Sequence, residues 1–320
     1  MHDEIEAIRR IITCEYELAN ITQITKIDGG EENANYKVAI GSQNFVFRIY
    51  ASKHSFKGQR TATQLEIEFA FMEAVREKGI PVPNAIARPD GSSFGYDSVL
   101  GRFFALFEFM VGDILDEGFS RWSVKQIAEC LDVLYEVSIE SRELVRNDDS
   151  FNQSIISRAQ KAYAELDNYP GKEIPNVLVV FFDSCMKDNQ RVSDLAEGLI
   201  HGDVKIQNLL FNNMILSALL DFDDCRKSYV IEDVVMALMH NLHSIDDCLI
   251  RSEYAQEFID SISNPRLRQE LRSGLSVLIK WRLLYELSKL LLNDNRSHFD
   301  ILLQDAFIQR IIEDKEFIKV

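Results

Sequence analysis

The chain has 320 residues, 46% of them hydrophobic and 27% charged, with only 6 prolines and 14 glycines. That composition supports one large core or two unequal lobes and excludes a disordered, collagenous or repeat protein. The formal net charge of −16 argues against nucleic acid as a partner, because phosphate backbones are bound through surplus Lys and Arg; a cationic small molecule would suit the surface better, although acidity serves solubility first.

Five cysteines, Cys14, Cys130, Cys185, Cys225 and Cys248, are scattered without a CxxC spacing, so neither a disulfide framework nor a zinc site is expected. The opening residues, Met1 to Glu6, lack the basic-then-apolar order of a secretion signal, and no uninterrupted apolar run reaches the ~18 residues needed to cross a bilayer. A cytoplasmic protein without a membrane partner is the expectation. The sequence leaves oligomeric state open.

Residues 4 to 18 carry Ile5, Ile8, Ile11 and Ile12 on one stripe and read as a helix. Three extended runs follow, Ile21 to Ile27, Ala34 to Ile40 and Phe45 to Tyr50, punctuated by Gly29-Gly30 and Gly41-Ser42; they predict an antiparallel meander. A helical pattern from Thr61 to Lys78 stops at Gly79, Pro81 and Pro83. Strands are expected near Ala85 to Arg88 and Arg102 to Phe109. Beyond Met110 the chain turns helical, over 121 to 141, 152 to 167, 174 to 195, 230 to 243, 252 to 262, 265 to 292 and 299 to 313. Only 198 to 223 interrupts it, with a hairpin signal at Asn212-Asn213. The expected architecture is α+β: a small antiparallel-sheet lobe with a helix over residues 1 to 109, and a larger, mostly helical lobe over 110 to 320.

The interruption carries the chemistry. His201-Gly202-Asp203-Val204-Lys205-Ile206-Gln207-Asn208, followed by Leu220-Asp221-Phe222-Asp223, sets three oxygen-bearing side chains on two adjoining loops. Phosphoryl transfer needs one carboxylate to orient the attacking hydroxyl and accept its proton, and further oxygen ligands to hold Mg²⁺ against the β- and γ-phosphates. Asp203 suits the first task, and Asn208 with Asp221 the second. The same side chains also serve as ordinary turn caps, but their spacing is unusual for a chance match. His201 reads as a scaffold for the loop.

These two segments resemble the catalytic and metal-binding loops of the protein-kinase-like superfamily, in the His-Gly-Asp form used by small-molecule kinases of the aminoglycoside phosphotransferase and choline kinase type. The front of the chain agrees: Gly29-Gly30-Glu31-Glu32-Asn33-Ala34-Asn35-Tyr36 and Phe45-Val46-Phe47-Arg48-Ile49-Tyr50 resemble the glycine turn and third strand of this group. The Gly-Glu-Asn-x-Asn-Tyr run is particularly similar to type II homoserine kinases. The resemblance spans about residues 22 to 240. It implies a bilobal kinase fold, ATP and Mg²⁺ as cofactors, and transfer of the γ-phosphate to a small-molecule hydroxyl.

It also implies site residues. Gly29 and Gly30 would cover the phosphates; Arg48 would replace the usual Lys beside them, braced by Glu68; and Glu108, Phe109 and Met110 would meet the adenine where the fifth strand leads into the hinge. Arg offers a planar fork where Lys offers a point charge, and the front loop lacks GxGxxG, so both positions depart from the common pattern. Arg48 and Glu68 also read as a plain strand-to-helix salt bridge. For the acceptor, Asp223, Arg282, Tyr285 and Glu286 are candidates; homoserine or another amino alcohol, choline, an aminoglycoside and a sugar alcohol all present a hydroxyl. A protein Ser/Thr kinase and a catalytically silent nucleotide-binding module are the rival readings. Asp233 at the start of a helical pattern reads first as a dipole-compensating residue, and His240 with His243 as a structural pair.

Overall fold

The computed structural model describes residues 2–27, 33–52, 60–115, 121–145, 154–168, 174–192, 194–241 and 256–313. They form two compact units that divide after Gly112.

The first unit is built on a five-stranded antiparallel sheet. Its strands are β1 (Ile21–Ile27), β2 (Ala34–Ile40), β3 (Gln43–Ile49), β4 (Gly95–Asp97) and β5 (Arg102–Glu108), in the spatial order β1-β2-β3-β5-β4. Alternation along β3 decides its chemistry. Phe47 and Ile49 join Tyr36, Val38, Phe104 and Leu106 in a core closed by Ile8, Ile11 and Ile12 of α1 (His2–Glu15) and by Tyr16 just after it, so Arg48 points to the opposite face. There its guanidinium lies 5.9 Å from the Phe107 ring, and Phe107 in turn stacks on Phe69 of α2 (Ala62–Glu77) at 5.6 Å.

The helix α2 starts where the sequence places it because Thr61 and Gln64 form a capping box: Thr61 Oγ accepts from the Gln64 amide at 3.2 Å, and Gln64 Oε1 from the Thr61 amide at 2.9 Å. It ends at Gly79, whose φ of +91° is open to glycine. Two expectations need correction. The third strand begins at Gln43, two residues before Phe45. Ala85 to Arg88 makes only an isolated bridge, Ala85 to Phe107, downstream of prolines that cannot donate to a ladder, and the sheet edge is taken by β4.

The second unit holds α3 (Arg121–Glu140), α4 (Ile155–Asp167), α5 (Asn176–Asp188), α6 (Glu232–Asn241), α7 (Pro265–Leu292), α8 (Arg296–Gln304) and α9 (Ala306–Ile312). Residues 256–261 are helical as well, while 242–255, part of two expected helices, lie outside the described residues. The spine is α7, whose start is set by Pro265 in its first turn and by Asn264 Oδ1, which accepts from the Arg266 and Leu267 amides at 3.0 Å each. The helix expected over 299 to 313 is broken at Asp305, which turns extended and accepts from the Ile308 amide at 3.2 Å. No helix of the described residues is long and apolar enough to cross a membrane.

Two short ladders interrupt the helices. β7 (Leu209–Asn212) and β8 (Ile215–Leu219) form the hairpin expected at Asn212-Asn213, turned by Asn213 and Met214 at φ +49° and +64°. β6 (Glu197–Ile200) and β9 (Arg226–Tyr229) pair across the whole intervening segment, so the loops bearing Asp203, Asn208 and Asp221 leave and return through one two-stranded base.

Candidate active site

The β6–β9 ladder ends on the pair Ile200 and Arg226, which delivers His201 and Gly202 beneath a buried guanidinium. Gly202 has φ +83°, and a Cβ there would stand 2.1 Å from Arg226 Nη1 and 2.5 Å from the Asp224 carbonyl. Glycine is therefore required twice over, by backbone conformation and by the space Arg226 fills. Arg226 Nη1 donates to the Gly202 and Asp224 carbonyls at 3.3 and 3.1 Å, and Nη2 to Glu232 Oε2 at 3.1 Å. The amides of His201 and Gly202 donate to the two oxygens of Asp233 at 2.9 and 2.7 Å. Asp233 thus stands in the first turn of α6, but its carboxylate is spent on the amides of His201 and Gly202. Burial raises its carboxyl above the ordinary value, opposed by His201, both amide donors and Arg226.

His201 is fully buried. Its Nδ1 accepts from the Asp203 amide at 3.2 Å, and Nε2 lies 3.0 Å from the Leu220 carbonyl. Those partners place the proton on Nε2; Nδ1 braces its own loop and Nε2 ties it to the loop at Leu220. The ring also packs edge-on against Phe222, with centroids 4.4 Å apart.

Asp203 Oδ2 accepts from Asn208 Nδ2 at 3.0 Å and lies 2.7 Å from Lys205 Nζ. Asn208 Nδ2 donates also to the Asp203 carbonyl at 2.9 Å. With the amide nitrogen committed twice, Asn208 turns its carbonyl oxygen away as a hard acceptor. The Leu220 amide donates to the Asn208 carbonyl at 2.8 Å, which brings the end of β8, and with it Asp221, beside Asn208. Asp221 takes a left-handed conformation, φ +67° and ψ +68°, one that a non-glycine residue keeps at a cost of about 1–3 kcal/mol. Asn208 and Asp221 offer oxygen groups, the donor type that magnesium takes while phosphate oxygens and water complete its shell.

In the first unit, Arg48 and Asn35 are cross-strand partners, and Arg48 Nε donates to Asn35 Oδ1 at 3.0 Å. Asn33 Oδ1 accepts from the Ala51 amide at 2.9 Å, so both asparagines of the Gly-Glu-Asn-x-Asn-Tyr run hold β3 in place. Glu68, fully buried, accepts from Arg60 Nη2 at 2.6 Å and from the Tyr50 hydroxyl at 3.2 Å. Burial raises the Tyr50 hydroxyl well above its ordinary value, reinforced by Glu68 and opposed by Arg48 and Arg60. Arg60 precedes the helix, and no spacing rule in the sequence points to it. Glu108 closes β5, and the Phe109 ring lies 4.4 Å from Lys37 Nζ; Met110 is half-buried. Gly29 and Gly30 lie outside the described residues.

The profile of APH, the phosphotransferase enzyme family, matches residues 23–271, well over half of the chain. The chain belongs to that family. Among curated proteins, a homoserine kinase from Rhizobium meliloti (strain 1021) is 24% identical over 236 residues, which cover 70% of this chain and 64% of that protein; the chain thus spans a little under two thirds of that relative. Among solved structures, an amicoumacin kinase in complex with AMP-PNP, Ca²⁺ and its antibiotic superposes with a TM-score of 0.70 at 14% identity, covering 99% of this chain and 98% of that one. A microcompartment-associated aminopropanol kinase gives 0.66 at 17%, covering 97% and 98%. At such identities the likeness establishes the kinase-like fold of the phosphotransferase family.

The acceptor candidates of this family member lie on α7 and after Asp221. Arg282 is buried and forms an ion pair with Glu286, and its guanidinium lies 5.4 Å from the Tyr285 ring. Asp223 is half-buried in the short 3₁₀ turn after Asp221. The His240 side chain and all of His243 lie outside what is described. Sequence reasoning missed Lys205, Arg226 and Arg60; only Lys205 carried a local signal, a cation two residues beyond the proposed base.

Proposed function

We propose that the chain transfers the γ-phosphate of ATP, with magnesium, to the hydroxyl of a small amino-acid-like alcohol. The observation that carries this reading is the pair of hydrogen bonds that Asn208 Nδ2 donates to the Asp203 carbonyl and carboxylate, which sorts the two side chains into different tasks. Asn208 Oδ1 and the Asp221 carboxylate would hold magnesium, which would offset the charge of the phosphates. Asp203 has one oxygen, Oδ2, taken by Asn208 and Lys205; Oδ1 is left to orient the acceptor hydroxyl and accept its proton. Lys205 meets the γ-phosphate on the same side. In the first unit, Arg48 and Arg60 supply cations to the α- and β-phosphates, Glu68 braces Arg60, and the backbone from Glu108 to Met110 meets the adenine.

The likeness of the Gly-Glu-Asn-x-Asn-Tyr run to type II homoserine kinases, together with the curated relative, supports an acceptor bearing an amine beside its hydroxyl. Supply of nucleotide and magnesium places the reaction in the cytoplasm. The test is turnover of ATP with magnesium over a panel of amino alcohols, hydroxy amino acids, sugars and a protein substrate, repeated with Asp203→Asn. Magnesium-dependent phosphorylation of a small hydroxyl compound, lost by about 10²–10⁴-fold in the variant, is expected. Nucleotide binding without turnover of any acceptor would overturn it, and turnover of the protein alone would replace it.

A further inference from the structure

Arg158, on the first turns of α4, plays no part in the chemistry above. It is half-buried, and its guanidinium lies over the Tyr285 ring at 4.8 Å while Nη2 donates to the Tyr285 hydroxyl at 3.1 Å. Tyr285 is thus held between two guanidinium groups, Arg158 and Arg282. Their situations differ. Arg282 has Glu286 as an ion-pair partner, whereas no carboxylate among the described residues comes within ion-pair distance of Arg158.

Of the two acids that act on it, Asp224 and Glu232, the second is engaged elsewhere. Glu232 uses one oxygen for the Ile155 amide at 2.9 Å and the Ser228 hydroxyl, and the other for Arg226 at 3.1 Å. Burial works against the Arg158 charge, and Tyr285, Asp224 and Glu232 more than offset it, so the side chain stays cationic. Arg226 is the next charge along, and it touches the carbonyl of Gly202, the residue before Asp203. A cation without an ion-pair partner therefore stands one side chain away from the segment that bears the proposed base. The described hydrogen bonds use one Arg158 donor group, Nη2, on Tyr285, which leaves the rest of the guanidinium fork to take an anion.

We infer that Arg158, steadied by Tyr285, binds a carboxylate on the acceptor, so that the substrate is a hydroxy acid carrying an amine and not a purely cationic amino alcohol. The inference rests on the phosphotransferase reading for the identity of the site, and names the acceptor group that reading leaves open. The planar fork of Arg can take a carboxylate through paired hydrogen bonds, with Tyr285 limiting its freedom. The acidic surface attracts the amine, and Arg158 admits the acid group that such a surface would otherwise repel.

The experiment compares homoserine with 3-aminopropan-1-ol, the same hydroxyl and amine without the carboxylate, in the full chain with ATP and magnesium. The wild-type protein should favour homoserine in kcat/KM by about 10- to 100-fold, through KM more than kcat. Arg158→Met should collapse that ratio towards one, and Arg158→Lys, which keeps the charge, should restore part of it. Equal use of the two acceptors by the wild type, or an unchanged ratio in a folded Arg158→Met, would overturn the inference while leaving the kinase reading intact. Should neither compound turn over, calorimetric titration of each into the wild-type protein with AMP-PNP decides. Binding of homoserine but not of the amino alcohol, lost in Arg158→Met, sustains the carboxylate site without the kinase. Absence of that preference ends it.

Discussion

The two units hold charge in opposite ways. In the second, Arg226, Glu232, Asp233 and His201 are 4%, 2%, 2% and 0% exposed, and they act mainly on main-chain groups: the amides of His201 and Gly202, and the carbonyls of Gly202, Asp224 and Leu220. In the first, one carboxylate, Glu68, is fully buried, and Arg48 and Arg60 are half-buried along the outer face of β3. The contrast follows from the tasks proposed for them. A proton acceptor must be placed to a fraction of an ångström, which favours gripping the backbone itself. Diffuse phosphate charge is satisfied by any cation within reach, so such a cation need not be held as closely.

The largest expected effect breaks the buried side of this comparison. Arg226→Met leaves Glu232 buried beside an apolar side chain and removes two bonds to loop carbonyls; loss of one partner from a buried pair costs about 3–5 kcal/mol. Urea unfolding should show it, and a change below about 1 kcal/mol would mean that the cluster does not organise the loop. Gly202→Ala comes next. Its conformation alone costs about 1–3 kcal/mol, and the displaced Arg226 should lower phosphorylation further than the stability change accounts for. A variant as active as the wild type would show that Arg226 yields without moving Asp203.

The sequence reveals the two units unequally, for the same reason. β1 and β2 are legible to the residue because alternation and glycine turns are local signals, and the capping box at Thr61 fixes the start of α2. The segment proposed to carry the chemistry is a local signal as well, since Asp203, Asn208 and Asp221 follow a short spacing. What holds that segment is not. The pairing of Glu197–Ile200 with Arg226–Tyr229 joins strands that are far apart in the chain, and Arg226-Lys227-Ser228 reads locally as a polar surface. Asp233 obeys the rule for a first helical turn and still gives its carboxylate to a distant loop. Burial of a charge is settled by tertiary partners, and no periodicity announces it.

On the exposed side, Arg60→Met and Arg48→Met sharpen which cation serves the nucleotide. Both should raise the KM for ATP by about 10-fold, but only Arg60→Met should also destabilise the fold, because it strips a bonded partner from the buried Glu68. Equal stability of the two variants would move the brace of Glu68 from Arg60 to Arg48.

The smallest effect concerns acid. Asp97 and Asp233 are both buried carboxylates, yet they are shifted in opposite directions. Burial favours the neutral form of each. At Asp97 it is outweighed by the Leu100 amide at 2.7 Å, Arg10 at 2.6 Å and the Val99 amide at 3.1 Å, which hold the carboxyl below its ordinary value. At Asp233 burial prevails. A lowered folded pKa means that the Asp97 contribution is present above the unfolded value of about 3.9 and is lost as pH falls through the folded one. A raised folded pKa gives Asp233 the reverse: its contribution is present at low pH and is lost as pH rises through the folded value. Asp97→Asn should therefore cost about 1 kcal/mol or less at neutral pH, since Arg10 is partly exposed, and nothing further in acid. Hydrogen exchange at the Val99 and Leu100 amides, followed from pH 6 to pH 3 by comparison with the wild type, reads this directly in the first unit. Parallel loss of protection in both proteins would show that Asp97 does not govern the acid response of that edge.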